Sequence, residues 1–222
     1  MKTRTFLFYL LAVLLGGCLP VMSLHPLFNE KDVVFDEKLL GTWVDDPNSP
    51  KTTLGKDLNC WEFKRADANE NAYRLILSDE EGKKGLFVAH LVKLKDKLFL
   101  DAFPDRLPYY EPRDPNEEGW AYNSLFLLPL HTFIKVDALG PQLILRLTDD
   151  EKMAEFLTAD PNAVKVDSLE DGPAKYLLTA STKELQAFVL KYADDSRVFT
   201  EAMVLSRKKT ADPNAPPPSK RR

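Results

Sequence analysis

Cysteine, histidine and glycine are scarce in this chain: 222 residues hold 2 cysteines, 3 histidines and 9 glycines. Two cysteines cannot build the multi-bridge framework of a small disulfide-stapled domain. The histidines, His25, His90 and His131, stand far apart. With no Cys/His cluster, no His-Glu-x-x-His and no calcium loop, the sequence offers no metal site. It also lacks a glycine-rich phosphate loop, a Gly-x-Ser-x-Gly elbow and a Ser-x-x-Lys in a suitable setting, so no familiar catalytic template is met and no cofactor is expected. Positive charge is short as well. With 30 Lys and Arg against 34 Asp and Glu, the net charge is −4, the wrong sign for a nucleic acid partner. The one long apolar run, Phe6 to Leu15, is about half the ~20 residues that a membrane-spanning helix needs.

What that run has is context. Lys2 and Arg4 precede it and Leu15-Gly16-Gly17-Cys18 follows, giving a positive start, a short apolar centre and a small-residue exit. These four residues resemble the bacterial lipobox. The resemblance implies cleavage before Cys18, a thioether-linked diacylglycerol on that cysteine and acylation of the new amino terminus. Residues 1–17 are then a signal peptide, and the membrane is a partner through the N-terminal lipid. The expected location is the cell envelope facing the periplasm, the outer membrane before the inner. Each buried methylene adds about 0.8 kcal/mol to such an anchor. With Cys18 lipidated, Cys60 stands alone, either buried and inert or free to pair with another molecule.

Hydrophobic residues make up 44% of the chain, ordinary for one core, so one domain is expected. Residues 18–38 read as a spacer that docks partly onto the body. A β domain is expected over 39–206. Residues 207–222, with Pro213, Pro216, Pro217, Pro218 and a basic end, have no composition for a core and read as a disordered tail.

Within the domain, apolar residues alternate with polar ones, the mark of half-buried strands. Leu39 to Val44 opens the series. Trp61 and Phe63 share a face opposite Cys60, Glu62 and Lys64, and Tyr73, Leu75 and Leu77 repeat the pattern. Gly85 to Leu94 and Leu98 to Phe103 form a hairpin around Lys95-Asp96, the first strand apolar on both faces and in need of an outer cover. Further strands are expected at 124–136, 142–147, 176–180 and 198–205. Thr148 with Glu151 and Ser181 with Glu184 have capping-box spacing, each opening a helix. In the second helix Leu185, Phe188, Val189 and Tyr192 make an apolar stripe.

The fold class is therefore mainly β: an antiparallel up-and-down barrel or half-barrel with a C-terminal helix packed outside. Gly41-Thr42-Trp43 on the first strand, followed by a meander, a helix and a last strand, resembles the lipocalin-like fold. That resemblance implies a tryptophan packed across one end of a barrel. Leu24-His25-Pro26-Leu27, Leu40-Gly41-Thr42-Trp43 and Ala89-His90-Leu91 also resemble bacterial lipoproteins to which no activity is attached.

His90 shares its parity with Leu86, Val88, Val92 and Leu94, and Arg146 lies on a later strand. If those residues face the barrel interior, His90 and Arg146 face a ligand there; otherwise His90 is a satisfied core histidine. Tyr109, Tyr110 and Trp120 lie in a proline-rich stretch at 104–119 and its end. They either offer a rigid contact surface to a partner or fold back over the barrel. The expected function is a membrane-anchored, non-catalytic binding module, its ligand an apolar small molecule or lipid. The alternative is an interaction or assembly subunit of an envelope complex, and the third reading an enzyme of unrecognised type. The sequence sets no oligomeric state.

Overall fold

The computed structural model describes residues 20–45, 58–67, 70–79, 84–105, 128–169 and 174–208. Twelve strands and two α-helices lie within them. The strands are β1 (Met22–Ser23), β2 (Val33–Val34), β3 (Gly41–Asp45), β4 (Leu58–Arg65), β5 (Tyr73–Asp79), β6 (Lys84–Leu94), β7 (Lys97–Pro104), β8 (Thr132–Leu139), β9 (Gln142–Arg146), β10 (Val166–Ser168), β11 (Tyr176–Leu178) and β12 (Met203–Arg207). The helices are α1 (Asp150–Ala159) and α2 (Thr182–Lys191).

Strands β3 to β9 form an antiparallel meander, each paired with the next. After the helices, β12 enters between β9 and β3 and closes the sheet into a barrel of eight strands. Closure removes the free edges that a twisted sheet otherwise exposes. β2 lies outside this ring, added to β6 at Val92 and Leu91. A separate small sheet, β1-β11-β10, sits beside the barrel. The strand expected at 176–180 is present as β11, Tyr176–Leu178, but it pairs in this second sheet and not in the barrel.

The interior is filled from both ends of the sequence. Trp43, Trp61, Phe63, Tyr73, Leu75, Leu91, Leu100 and Leu143, all at most 1% exposed, share one cluster inside the ring. Eight strands enclose an interior that side chains of this size can fill. A second cluster lies outside the ring: Val92, Leu94, Phe99 and Phe133 on the outer face of β6–β8 meet Phe156 of α1 and Leu185, Phe188 and Val189 of α2. This supplies the outer cover that β6 needs, at its second half; Leu86 near its start stays half exposed.

One barrel end is closed by named contacts. Trp43 Nε1 donates to the Leu39 carbonyl at 2.9 Å, and Arg207 lies over the Trp43 ring while its guanidinium donates to the Leu40 and Lys38 carbonyls. Gly41 makes room for this. Its φ is +117°, and a Cβ there would stand 2.5 Å from Arg207 Nη1. Arg207 is the last residue of β12, so the strand takes in a position the sequence assigns to the tail. This is the Trp43 end; the ends of β3, β5, β7 and β9 and the starts of β4, β6, β8 and β12 form the far end.

Three local expectations are revised. Asp149, not Thr148, caps α1, accepting from Lys152 N at 2.9 Å, because the Thr148 hydroxyl oxygen instead accepts from Val21 N at 3.0 Å. Val198 and Phe199 form no strand: Val198 N and Phe199 N donate to the Asp195 carbonyl in a turn whose side chains plug the outer cluster, and the strand begins at Met203. The strand expected at 124–136 starts at Thr132 within the described residues, past Pro129, and runs to Leu139. The box of Ser181 and Glu184 is as expected, with Glu184 Oε2 accepting from Ser181 N at 2.8 Å.

Residues 20–35 form a strap that is bonded along its length. Val21, Ser23 and Leu27 are fully buried. Ser23 exchanges two backbone hydrogen bonds with His131, Leu24 N donates to Leu178 O, and Gln186 Nε2 donates to Leu27 O. The strap starts at the far end beside Thr148 and His131 and finishes near the Trp43 end, where Tyr73 Oη accepts from Asp36 N at 2.7 Å. Burial pushes the Tyr73 hydroxyl up to about 12.

Candidate functional site

Alternation on β6 decides where His90 points. Ala89 and Leu91 belong to the inner cluster, whereas Val92 and Leu94 belong to the outer one. A strand turns successive side chains to opposite faces, so His90 lies outside the barrel. Arg146 does too, since Leu143 and Leu145 take the interior of β9. The expectation that these two residues line the barrel interior is corrected by this parity.

His90 meets a residue not singled out from the sequence. It pairs across the strands with Asp101 of β7, whose carboxylate is fully buried. Asp101 Oδ2 accepts from Leu27 N at 2.7 Å and Oδ1 lies 2.7 Å from His131 Nδ1. A carboxylate already holding one N–H takes the imidazole N–H with its other oxygen, which fixes the His131 ring and its tautomer. Phe103 stacks on His131 at 5.2 Å between centroids, and Phe28 of the strap lies 4.3 Å from the His90 ring. His90 Nδ1 is buried without a hydrogen-bond partner among the described residues. Burial holds the His90 imidazolium below the usual histidine range, with His131 pushing the same way and Asp101 opposing. One signal could have found this cluster. Asp101 is the lone charge inside the apolar run Leu98 to Phe103, on the parity of Phe99 and Phe103.

The chemistry open to this group is limited by where the protons already go. An aspartate behind an imidazole is the orienting half of a general-base arrangement. The nearest hydroxyl on the strap, Ser23 Oγ, donates to the His25 carbonyl at 2.8 Å. The cluster therefore clasps the strap to the barrel by charge-assisted bonds.

Arg146 belongs to a second group, at the joint between the barrel and the turn after α2. Its guanidinium meets Asp137 and the Thr200 carbonyl, the latter at 3.1 Å. Lys135, only 8% exposed, reaches Asp137 at 2.9 Å and Asp194 at 2.8 Å, and Lys97 reaches Asp194 at 3.2 Å. Burial alone would lower the Lys135 ammonium, yet the two carboxylates outweigh it and hold it above its usual value. Burial would raise Asp137, but Lys135 and Arg146 hold it below the carboxylate range.

Two clefts are described, both outside the barrel. One of about 550 Å³ runs between residues 161–166 and α2, with Val164, Lys165, Glu184, Phe188 and Lys191 on its walls. A smaller one of about 110 Å³ opens over Lys135, Arg146, Asp194 and Phe199. Among the described residues no group of three or more His, Cys, Asp or Glu could hold a metal ion. Cys18, Tyr109, Tyr110, Trp120 and the tail beyond 208 lie outside the described residues. Neither a protein-family model, nor a curated protein, nor a solved structure matches this chain.

Proposed function

We propose that this chain is a lipid-anchored, non-catalytic interaction module of the cell envelope that works through the outside of a filled barrel. The observation that carries the reading is the interior itself: Trp43, Trp61, Phe63 and Tyr73 occupy the space in which a barrel of this size would hold a ligand. The lipobox-like Leu15-Gly16-Gly17-Cys18 supports the anchor and the periplasmic side of the envelope. A rigid, closed body with bonded helices on one face suits recognition of another surface, and the assembly reading moves ahead of an enclosed apolar ligand.

The test combines two measurements. Labelled palmitate should enter the wild-type chain and not Cys18→Ala, and photocrosslinkers at positions 110 and 165 should join the chain to an envelope protein. A chain that takes up no label, or one that is labelled yet isolated as a monomer without neighbours, would refute the reading. The outer cleft of about 550 Å³ favours a second reading, a small-molecule site, because its volume is within the range of ligand pockets. Native mass spectrometry after gentle release from membranes would show it as a stoichiometric mass adduct.

A further inference from the structure

We propose that the far end of the barrel is the face laid against the membrane, with exposed leucines of that rim seated among the lipid headgroups. This rests on the anchored reading for the lipid at Cys18 and adds an orientation to it.

The first argument is chain length. Only Leu19 and Pro20 separate Cys18 from Val21. Each residue spans at most about 3.6 Å, so the Val21 backbone lies within roughly 11 Å of the lipid-bearing residue. Val21 is no free end. It is fully buried, its N–H donates to Thr148 Oγ1, Met22 and Ser23 pair with Leu177 and Leu178, and Ser23 is bridged to His131. Thr148 follows the end of β9 and His131 precedes β8, both at the far end. The anchor is thus joined by a short lead to a rigid point on one end of the barrel.

The second argument is independent of the anchor. Four large apolar side chains are left exposed among the described residues: Leu128 at 68%, Leu86 at 47%, and Leu24 and Leu169 at 39% each. Single exposed leucines mean little on any surface. Their placement is what informs. Leu128 lies just ahead of His131, and Leu24 just after Ser23. Leu86, at the start of β6, accepts from Asp105 N at the end of β7. Leu169 N donates to Lys175 O, and Lys175 N donates to the Asp150 carboxylate, two residues after the Thr148 that holds Val21. All four belong to the side from which the anchor emerges. Apolar side chains around a lipid anchor gain by entering the headgroup and acyl boundary, because membrane binding grows with the apolar area buried there.

Strands of eight residues rise about 3.3 Å per residue, so even with the tilt of a barrel the two ends stand roughly 20 Å apart. A depth probe resolves that difference. The full-length, lipid-bearing chain with Cys60→Ser is prepared in two forms, Leu128→Cys at the far end and Gly140→Cys in the hairpin at the Trp43 end, where an added Cβ meets nothing within 4 Å. Each is labelled with a fluorophore and placed in phosphatidylcholine vesicles carrying spin-labelled headgroups. We expect both proteins to float with the vesicles and quenching at 128 to exceed that at 140 several-fold. Equal quenching, or stronger quenching at 140, in protein that floats would overturn the orientation and leave the anchored reading standing. A label at 128 shielded by a second copy or by a protein neighbour would also overturn it. Protein that neither floats nor takes up palmitate would remove the anchored reading, and the orientation with it.

Discussion

The guanidinium carbon of Arg207 lies 4.4 Å from the centre of the Trp43 ring, joining the last strand of the barrel to the first across one of its ends. The same guanidinium donates to two carbonyls of the turn that precedes β3, and Gly41 has no side chain to block it. Arg207→Ala should cost about 1–3 kcal/mol, from the ring contact and the charged hydrogen bonds together. Gly41→Ala should cost a similar amount, about 1–3 kcal/mol, through a strained backbone and a clash with Nη1. The double variant should lose less than the sum, because truncating Arg207 removes the clash. Urea unfolding of the four proteins checks this, and strictly additive losses would count against the close packing of the two.

Asp101→Ala leaves His131 Nδ1–H and Leu27 N–H without acceptors in a buried place. The expected loss is about 2–4 kcal/mol, from two buried donors left without an acceptor. Cleavage within residues 20–28 should become faster than in the wild type, since the strap loses its central clasp. Asp101→Asn, which keeps one carbonyl acceptor, should recover part of both effects. Protease resistance unchanged in Asp101→Ala would show that the clasp holds nothing.

His90 supplies a pH signature. Its folded form is held below the ordinary histidine value, chiefly by burial, so the unfolded chain takes up the proton first as pH falls. A state that binds more protons gains as pH drops, and stability should therefore be level above about pH 6.5 and decline below it. The His90→Gln variant should lose that part of the decline. Urea midpoints at pH 7.5 and 5.5 read it directly; identical slopes in the two proteins would assign the decline elsewhere.

Phe188 and Leu86 are both large apolar residues on the outside of the ring, but they differ in cover. Phe188 is 2% exposed against Phe156 and Tyr192, and Leu86 is 47% exposed. Phe188→Ala should cost about 3–5 kcal/mol by leaving a cavity in the outer cluster. Leu86→Ala should stay within about 0.5 kcal/mol. Comparable thermal midpoints for the two would mean that the helical layer does not add to stability.

The faces of β4 and β5 were legible because Trp61, Phe63, Tyr73 and Leu75 alternate with polar neighbours, and the Ser181 box was legible because both its partners are local. The face of His90 was not. Phe87, Ala89 and Leu91 are apolar on one side of β6 and Leu86, Val88 and Val92 on the other, so a period of two marks the strand without saying which side is inside. The same ambiguity hid the Asp101 cluster, whose members come together only through the pairing of β6, β7 and β8. Val198 and Phe199 failed for a related reason, since an apolar pair looks the same whether it lies in a strand or plugs a cluster from a turn. Arg207 sits beside a run of basic residues, and only the register of β12 separates it from them.

The pairing of β3 with β12 has a consequence for how the chain is made. Gly41 to Asp45 is among the first barrel residues to leave the ribosome, and Met203 to Arg207 the last. Until those final residues emerge, β3 and β9 are two open edges on an unfinished sheet, the condition in which strands find wrong partners. Synthesis from the N-terminus thus withholds closure until Met203 to Arg207 have emerged, and a chain stopped before residue 203 would carry both edges permanently. Such a truncation should be recovered as aggregate or protease fragments.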